Sequence, residues 1–271
     1  MMFRSRIYLY LLGVLMISAC SKQVTKSDII NNDNLSSSTI VVAENETLYH
    51  KKVCAKNNKK PDEFCANECQ GHLEISIKTN IDWLNKLLND NKILLNEEEL
   101  KESAIGSLIS RFDDITEQDI TFTIEDVKNN EFDEVDNVSI TKFEKQHKHF
   151  AVFSDFYNYF ECGMAHNQYG TRFRVFDLNK KQEIQPTDII IQGKETELAK
   201  VLYDYANQEE LYGDFDFIKE NLVEDFSFYF EKNEIVFHYG NYRISGFAQG
   251  EQEISVPYTK LKGIIKDEFL Q

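Results

Sequence analysis

Alternating hydrophobic and polar positions predict β-strands at several places along the chain. Between residues 73 and 78, Leu73, Ile75 and Ile77 alternate with polar side chains, which is the pattern of a strand with one buried face. The run 150–160 is dense in aromatic residues, which favour strands. Similar patterns predict strands at residues 120–125, 138–140, 172–178, 226–230, 235–239 and 252–256.

Apolar residues at helical spacing predict helices between these strands. The first helix follows the strand at 73–78, and Asn80 is placed to cap its first turn. Its apolar face consists of Trp83, Leu84, Leu87 and Leu88. A second helix is predicted from Asn96 to Phe112, where Glu99 completes a capping-box pattern. Further helices are predicted at residues 194–210, 214–223 and 258–269.

The order of these elements predicts the fold class. Strands and helices do not alternate regularly, so the sequence favours an α+β fold with a mainly antiparallel sheet and helices packed on one face. We expect two intimately associated subdomains, an N-terminal one at residues 46–180 and a C-terminal one at residues 181–271.

The first 20 residues have the layout of a bacterial export signal. Arg4 and Arg6 form a short basic region, and an almost unbroken apolar run follows at residues 8–16. This run is too short to span about 30 Å of hydrocarbon as a helix. Residues 17–20, Ile-Ser-Ala-Cys, resemble the lipobox of bacterial lipoproteins. Residues 1–19 are therefore predicted to be cleaved, and Cys20 to carry the lipid.

A polar segment follows the predicted lipid site. Residues 20–45 hold many Ser, Asn, Asp and Thr and few large apolar side chains, so they cannot bury enough surface to offset the entropy lost on ordering. We interpret the segment as a flexible tether, which places the protein in the cell envelope. Ser21 after the lipid cysteine would permit sorting to the outer membrane in a host that has one.

The net charge of the chain indicates which kinds of partner it could bind. The formal net charge is −16, and removal of Arg4 and Arg6 makes it two charges more negative. Phosphate backbones would be repelled, so nucleic acid is not expected as a partner. Cationic partners would be attracted, although an acidic surface without a specific partner explains the same charge.

Four cysteines besides Cys20 form an even set, which in an exported protein favours disulfides. They are Cys54, Cys65, Cys69 and Cys162. Cys65 and Cys69 are expected on one helical turn with their side chains pointing the same way, so we favour the pairs Cys54–Cys65 and Cys69–Cys162. A zinc site with His72 and His166 is the alternative, but the spacing matches no common metal module. We expect no metal.

Sequence motifs for catalysis or cofactor binding are absent. The chain has no zinc-protease helix motif, no Gly-x-Ser-x-Gly elbow and no glycine loop for phosphates. His147 and His149 share one face of a predicted strand and are expected to face solvent. The acidic run 97–99 lies at a helix start, where negative charge complements the helix dipole. We therefore expect no catalytic residues and no cofactor.

Two blocks of sequence resemble a known family. The first combines Tyr157, the segment Gly163-Met164-Ala165-His166 and Phe176-Asp177-Leu178, and the second covers residues 226–262. Both are similar to the RsiV-like extracellular domain, which also accompanies some peptidoglycan deacetylases. The resemblance covers roughly residues 70–265. The family often has glycine where this chain has Met164 and Asn167, so the turn is expected to differ here.

The resemblance implies a binding module. In the deacetylases, catalysis belongs to a separate metal-dependent domain, so this chain is not expected to be an enzyme. In the lysozyme-sensing anti-sigma factor, the module captures lysozyme, a small cationic protein. We therefore expect a cell-envelope ligand, either a lysozyme-like protein or peptidoglycan.

Five residues are candidates for contacting that ligand. They are His166, Tyr169, Tyr239, Tyr242 and Tyr258. Aromatic side chains with a polar tip can stack on sugars or anchor a protein interface, and the alternative for each tyrosine is core packing. Two other functions stay open. One is a structural or assembly lipoprotein with protein partners, and the other is a polysaccharide-acting enzyme using Asp155, Glu161 or Asp177.

Overall fold

The structure is a computed structural model that describes residues 40–56, 67–89, 114–119, 125, 129, 136–160 and 164–270. The predicted signal, Cys20 and most of the predicted tether therefore lie outside the described residues, as do the predicted helix from Asn96 to Phe112 and most of the strand predicted at 120–125. Within the described residues, no helix is both long and apolar enough to cross a bilayer.

The described strands form two sheets. In chain order they are β1 (Ala43–Lys56), β2 (Asn67–Thr79), β3 (Asp114–Asp119), β4 (Asn137–His147), β5 (Phe150–Tyr159), β6 (Gln168–Asp177), β7 (Gln182–Ile184), β8 (Ser227–Phe230), β9 (Glu234–Tyr239) and β10 (Gln252–Pro257). A seven-stranded sheet has the order β3-β1-β2-β4-β5-β6-β7, and a three-stranded sheet has the order β10-β9-β8.

Nearly all neighbouring strands in these sheets are antiparallel. The exception is the parallel pair β2 and β4, in which Leu73 lies opposite Val138. β5 lies antiparallel between β4 and β6 without a register shift toward β6. The predicted α+β class with a mainly antiparallel sheet is therefore confirmed.

The described helices are short apart from two. They are α1 (Asp82–Asn89), α2 (Pro186–Ile189), α3 (Glu195–Tyr205), α4 (Phe215–Ile218), α5 (Asn221–Glu224) and α6 (Tyr258–Leu261), with 3-10 turns at Phe247–Gln249 and Asp267–Phe269. The prediction of α1 from its apolar face is confirmed, since Leu84 and Leu88 are buried. The prediction of α3 is also confirmed.

The predicted helix at 258–269 is wrong beyond Leu261. After α6 the chain turns at Gly263, whose φ of 76° is unfavourable for side-chain-bearing residues. Ile265 then forms an antiparallel bridge with Ile190, and the Ile191 amide donates to the Ile264 carbonyl. The buried Ile264 and Ile265 are therefore held in a bridged turn rather than on a helix face.

Among the described residues there are three hydrophobic cores, and the two larger ones lie on opposite faces of the seven-stranded sheet; the third is a small cluster on β2 and β4. Phe150 and Val152 face the larger core, which also contains buried residues of α3 and of the three-stranded sheet. Ala151 and Phe153 face the smaller core, which contains Leu84 and Leu88 of α1. The helices thus cover both faces rather than the predicted one, because residues 150–153 form an unbroken apolar run that is buried on both sides.

The larger core joins the two sheets. The Phe150 ring of β5 lies 4.7 Å from the Phe230 ring of β8, centroid to centroid. The core includes residues on both sides of position 180, and β7 belongs to the seven-stranded sheet. The predicted boundary between residues 180 and 181 stays a prediction. The contacts of the larger core join residues on its two sides.

A buried arginine fastens α1 to the sheet. Arg174 of β6 is 5% exposed, and its guanidinium donates to the carbonyls of Leu87 and Leu88 over 2.9 and 3.2 Å. It also donates to Glu183 over 2.7 Å and lies 3.6 Å from an Asp155 oxygen. The cation therefore meets the negative end of the helix dipole and two carboxylates at once.

Cys54 of β1 is disulfide-bonded. The backbones of Cys54 and Cys69 lie directly opposite each other in the register of β1 and β2. Cys69 thus lies on a strand, so the prediction that it lies on a helical turn is wrong. The side chains of Cys65, Cys69 and Cys162 lie outside the described part of the chain, so the predicted pairings stay predictions.

Candidate functional site

A partly exposed group of aromatic rings lies where the segment before β6 meets the segment between β9 and β10. The His166 and Phe247 rings stack with centroids 4.0 Å apart, and the Tyr242 ring stacks on Phe247 at 5.5 Å. The Tyr169 ring meets Phe247 edge-on at 5.7 Å. We call His166, Tyr169, Tyr242 and Phe247 the aromatic surface. The sequence candidates His166, Tyr169 and Tyr242 are thus brought together.

His166 is oriented by one hydrogen bond at each ring nitrogen. Its Nδ1 lies 2.8 Å from the Asn167 carbonyl oxygen, an acceptor, so Nδ1 carries the proton and donates. Its Nε2 lies 3.2 Å from the Tyr242 hydroxyl, which can then donate to it. The pair therefore presents two fixed, partly exposed rings rather than freely rotating ones.

Tyr242 combines exposure with an uncommon backbone. Its side chain is 53% exposed, and its φ of 65° lies in the left-handed region. Bulky residues enter that region at a cost, and such residues are concentrated at ligand sites. The preceding Asn241 donates from Nδ2 to the Tyr169 carbonyl over 2.8 Å. Among the described residues, no donor reaches the buried Oδ1 of Asn241.

Gly250 ends the turn of Phe247 with backbone angles that favour glycine. Its φ of 71° and ψ of −162° belong to a region that is essentially restricted to glycine. A Cβ at this position would make only ordinary van der Waals contact with the Tyr169 hydroxyl, 3.5 Å away. The backbone angles, and not a lack of space, therefore favour glycine here.

Glu251 links the two segments beneath the aromatic surface. Its carboxylate accepts from both the amide and the hydroxyl of Thr171, the hydroxyl at 2.9 Å. It also lies 3.6 Å from Nε2 of the buried His238. Burial would raise the pKa of Glu251, but the hydrogen bonds from His238 and Thr171 outweigh burial, and the pKa is lowered.

Acid is expected to remove the stabilisation that Glu251 provides. Its folded-state pKa is depressed, so the ionised carboxylate stabilises the fold above the ordinary value of 4.5, and this contribution is lost as the pH falls through the folded pKa. We expect Glu251→Gln to lower the free energy of unfolding at pH 7, with a difference that shrinks on acidification. Urea unfolding of both proteins at several pH values measures this difference. The exposed control Glu253→Gln should cost under about 0.5 kcal/mol at pH 7.

Ser227 and His238 continue this polar chain into the interior. The Phe173 amide donates to Ser227 Oγ over 3.1 Å, and Ser227 Oγ lies 3.4 Å from His238 Nδ1. Serine, histidine and glutamate also form nucleophilic triads, but here the histidine is 4% exposed and cannot be reached by a substrate. The arrangement satisfies buried polar groups and joins β6 to β8 and β9.

Two predicted ligand contacts are core residues instead. Tyr239 is fully buried, and its hydroxyl donates to the Leu222 carbonyl over 2.8 Å. Tyr258 is 9% exposed, its hydroxyl donates to the Glu231 carbonyl over 2.7 Å, and burial raises its pKa to about 12. Neither ring can contact an external ligand, because each faces the larger core.

Two of the three predicted carboxylates make contacts within the fold. Asp177 accepts from the amides of Asn179 and Lys180, each over 2.9 Å, which shapes the turn after β6. Asp155 accepts from the Thr141 hydroxyl and lies near Arg174. Glu161 lies outside the described residues. Within the described residues, no group of three His, Cys, Asp or Glu could hold a metal ion.

Sequence reasoning missed Phe247, Glu251 and Asn241. Phe247 follows Gly246 and precedes Gly250, and a phenylalanine between two glycines is a signal for an exposed loop aromatic. The role of Glu251 depends on Thr171, which is 80 residues away in sequence. A local pattern carries no information about that contact.

Part of the chain is similar to a known protein family. Residues 177–259 match the sequence model of a family described as "Protein of unknown function (DUF3298)". The match includes Tyr242, Phe247 and Glu251, whereas His166 and Tyr169 precede it. No curated protein matches the chain.

Two solved structures of DUF3298 members are similar to this chain. A protein from Bacteroides fragilis is 17% identical, with a TM-score of 0.55 over 83% of this chain and 94% of its own. A protein from Pseudomonas aeruginosa is 16% identical, with a TM-score of 0.49 over 85% of this chain and 97% of its own. The likeness to the Bacteroides fragilis protein shows a shared fold.

Proposed function

We propose that the chain is a lipid-anchored envelope protein that binds the glycan of peptidoglycan on the aromatic surface. The observation that carries this proposal is the exposed Tyr242 ring, held in a left-handed backbone and fixed by His166 and Phe247. Unfavourable backbone conformations cluster at binding and catalytic sites, and here the residue is also an exposed aromatic.

The aromatic surface has the chemistry that a sugar needs. Flat rings offer apolar faces on which the CH groups of a pyranose can pack, and hydroxyl, amide and imidazole groups at their edges can exchange hydrogen bonds with sugar hydroxyls. The Tyr242 hydroxyl, whose oxygen can accept a hydrogen bond while it donates to His166, supplies such a group here. Among the described residues, no lysine or arginine side chain takes part in these contacts, which favours a neutral sugar face over an anionic one.

The lipid anchor is part of the same proposal. The lipobox-like residues before Cys20 support cleavage there and retention of the protein in the envelope, at the outer membrane in a host that has one. Mass spectrometry of the native protein should find an acylated Cys20 at the N-terminus. An intact Met1 without an acyl group would contradict the anchor.

Loss of the aromatic surface is expected to abolish glycan binding. The variant Tyr242→Ala with Phe247→Ala should weaken co-sedimentation of the full-length protein with purified peptidoglycan sacculi by more than about tenfold, as removal of interface aromatics does elsewhere. The matched control is Tyr212→Ala with Phe217→Ala, which also removes two exposed aromatics. Equal binding by both variants, or no binding by the wild type, would overturn the proposal.

A second candidate ligand is a cationic protein of the lysozyme kind, which the RsiV-like resemblance favours. Eight exposed carboxylates lie in and around α4 and α5, namely Asp204, Glu209, Glu210, Asp214, Asp216, Glu220, Glu224 and Asp225. The aromatics Tyr205, Tyr212 and Phe217 are exposed in the same segment, with Phe217 at 72%. Acidic groups around exposed aromatics suit a basic partner.

The same two double variants separate the candidates. Lysozyme capture on the acidic segment should be lost with Tyr212→Ala and Phe217→Ala, persist with Tyr242→Ala and Phe247→Ala, and weaken steeply as salt rises. The opposite pattern with sacculi supports the glycan. Envelope partners found by crosslinking, without either ligand, would select a structural or assembly role instead.

A further inference from the structure

We infer that Glu251 is the positioning residue of the aromatic surface, acting without touching the ligand. The carboxylate holds the segment of Phe247 against the strand of Tyr169, so that the two rings meet. The consequence for binding rests on the proposed function, whereas the positioning itself can be measured without any ligand.

Glu251 lies next to the turn of Phe247 and reaches across to β6. It directly follows Gly250 and the 3-10 turn Phe247–Gln249, so any fixing of its side chain also fixes that turn. Its carboxylate accepts two hydrogen bonds from Thr171, two residues beyond Tyr169 in β6. One side chain therefore connects the two segments that contribute Phe247 and Tyr169.

Residues of the three-stranded sheet support the Glu251 carboxylate from beneath. His238 of β9 is buried, with its Nε2 3.6 Å from Glu251 and its ring 5.1 Å from the Phe173 ring. Its Nδ1 is met by Ser227 of β8. Glu251 is thus held from below by the three-stranded sheet and from the side by β6, which leaves it little rotational freedom.

The turn is held by ring contacts and by polar contacts rather than by a buried core. None of the residues 247–249 is buried. Phe247 contacts the rings of His166, Tyr169 and Tyr242, and Gln252 Nε2 donates to the Gln249 carbonyl over 2.9 Å. The hydrogen bonds described between Glu251 and Thr171 reach across to β6, so Glu251 should contribute strongly to the position of the turn against that strand.

The carboxylate itself is recessed. The Glu251 side chain is 19% exposed, and its oxygens are occupied by Thr171 and His238. A sugar on the rings above would meet Tyr242 and Phe247 first. Glu251 therefore acts through Phe247 and Tyr169, and its removal should leave the chemical groups of the aromatic surface intact.

Hydrogen exchange without ligand tests the positioning. Glu251→Ala in the full-length protein should speed amide exchange at residues 247–250 and 169–171 by about tenfold or more, while exchange in α3 stays as in the wild type. Thr171→Ser keeps the hydroxyl and should behave as the wild type, whereas Thr171→Val should show part of the effect. Unchanged exchange at 247–250 in Glu251→Ala overturns the inference.

Binding to soluble peptidoglycan strands tests the consequence. We expect Glu251→Ala to weaken affinity by about tenfold, and to have little further effect in a Phe247→Ala background, because both act through the same ring. At a temperature where all variants are folded, a general loss of stability would not make the effects of Glu251→Ala and Phe247→Ala on affinity non-additive. Additive effects would overturn positioning through Phe247. If exchange rises but the wild type binds no glycan, the positioning stands and the proposed function fails.

Discussion

Arg174→Ala should lower the free energy of unfolding by about 3–5 kcal/mol, the usual cost of breaking a buried charged network by removing one partner. The guanidinium neutralises Glu183 and Asp155 and caps the carbonyls of Leu87 and Leu88. Its loss leaves two carboxylates without this buried cation and two carbonyls at the end of α1 without their donor. Urea unfolding followed by circular dichroism measures the change.

Arg172 supplies the matched control on the same strand. Its side chain is 63% exposed, and its guanidinium lies 3.9 Å from Glu183. Exposed ion pairs contribute little, so Arg172→Ala should cost no more than about 0.5 kcal/mol. A similar small cost for Arg174→Ala would show that the buried arginine does not fasten α1 to the sheet.

Phe150→Ala should cost about 3–5 kcal/mol, the range for removing a large aromatic side chain from a packed core. The ring is 2% exposed and lies 4.7 Å from Phe230 and 6.0 Å from Phe269. The alanine would leave a cavity between the two sheets that neither sheet can fill alone. The exposed control Phe217→Ala should change stability by under about 0.5 kcal/mol.

The single tryptophan makes this experiment more informative. Trp83 lies in α1 and packs against the smaller core, on the other face of the sheet from Phe150. If both faces unfold as one unit, Phe150→Ala should shift the Trp83 fluorescence transition and the circular dichroism transition together. A fluorescence transition that stays at its wild-type urea concentration would show instead that the faces unfold separately.

Local patterns predicted the elements well where burial is one-sided. The alternation at Leu73, Ile75 and Ile77 predicted part of β2, and the apolar face of Leu84 and Leu88 predicted α1. The run Phe150–Phe153 predicted a strand but not that both of its faces are covered. Periodicity alone cannot say how many layers a continuous apolar run is buried between.

The aromatic surface was predicted only in part, for a similar reason. Tyr239 and Tyr242 lie three residues apart, yet Tyr239 is fully buried and Tyr242 is 53% exposed. Tyr239 is the last residue of β9 and faces the core, whereas Tyr242 lies in the turn after β9 and faces solvent. Glu251 and Thr171 were not predicted together, because contacts over such a separation are set by the tertiary fold.

The position of the first described residues bears on the proposed anchor. The Val41 amide donates to Gln146, and Ala151 and Phe176 lie in the neighbouring rows of the sheet at that end. Tyr169 lies seven residues back along β6 from Phe176, roughly 23 Å at about 3.3 Å per residue. The aromatic surface therefore lies at the opposite end of the sheet from Val41, so a lipid at Cys20, as proposed, would leave the glycan site remote from the residue at which the described sheet begins.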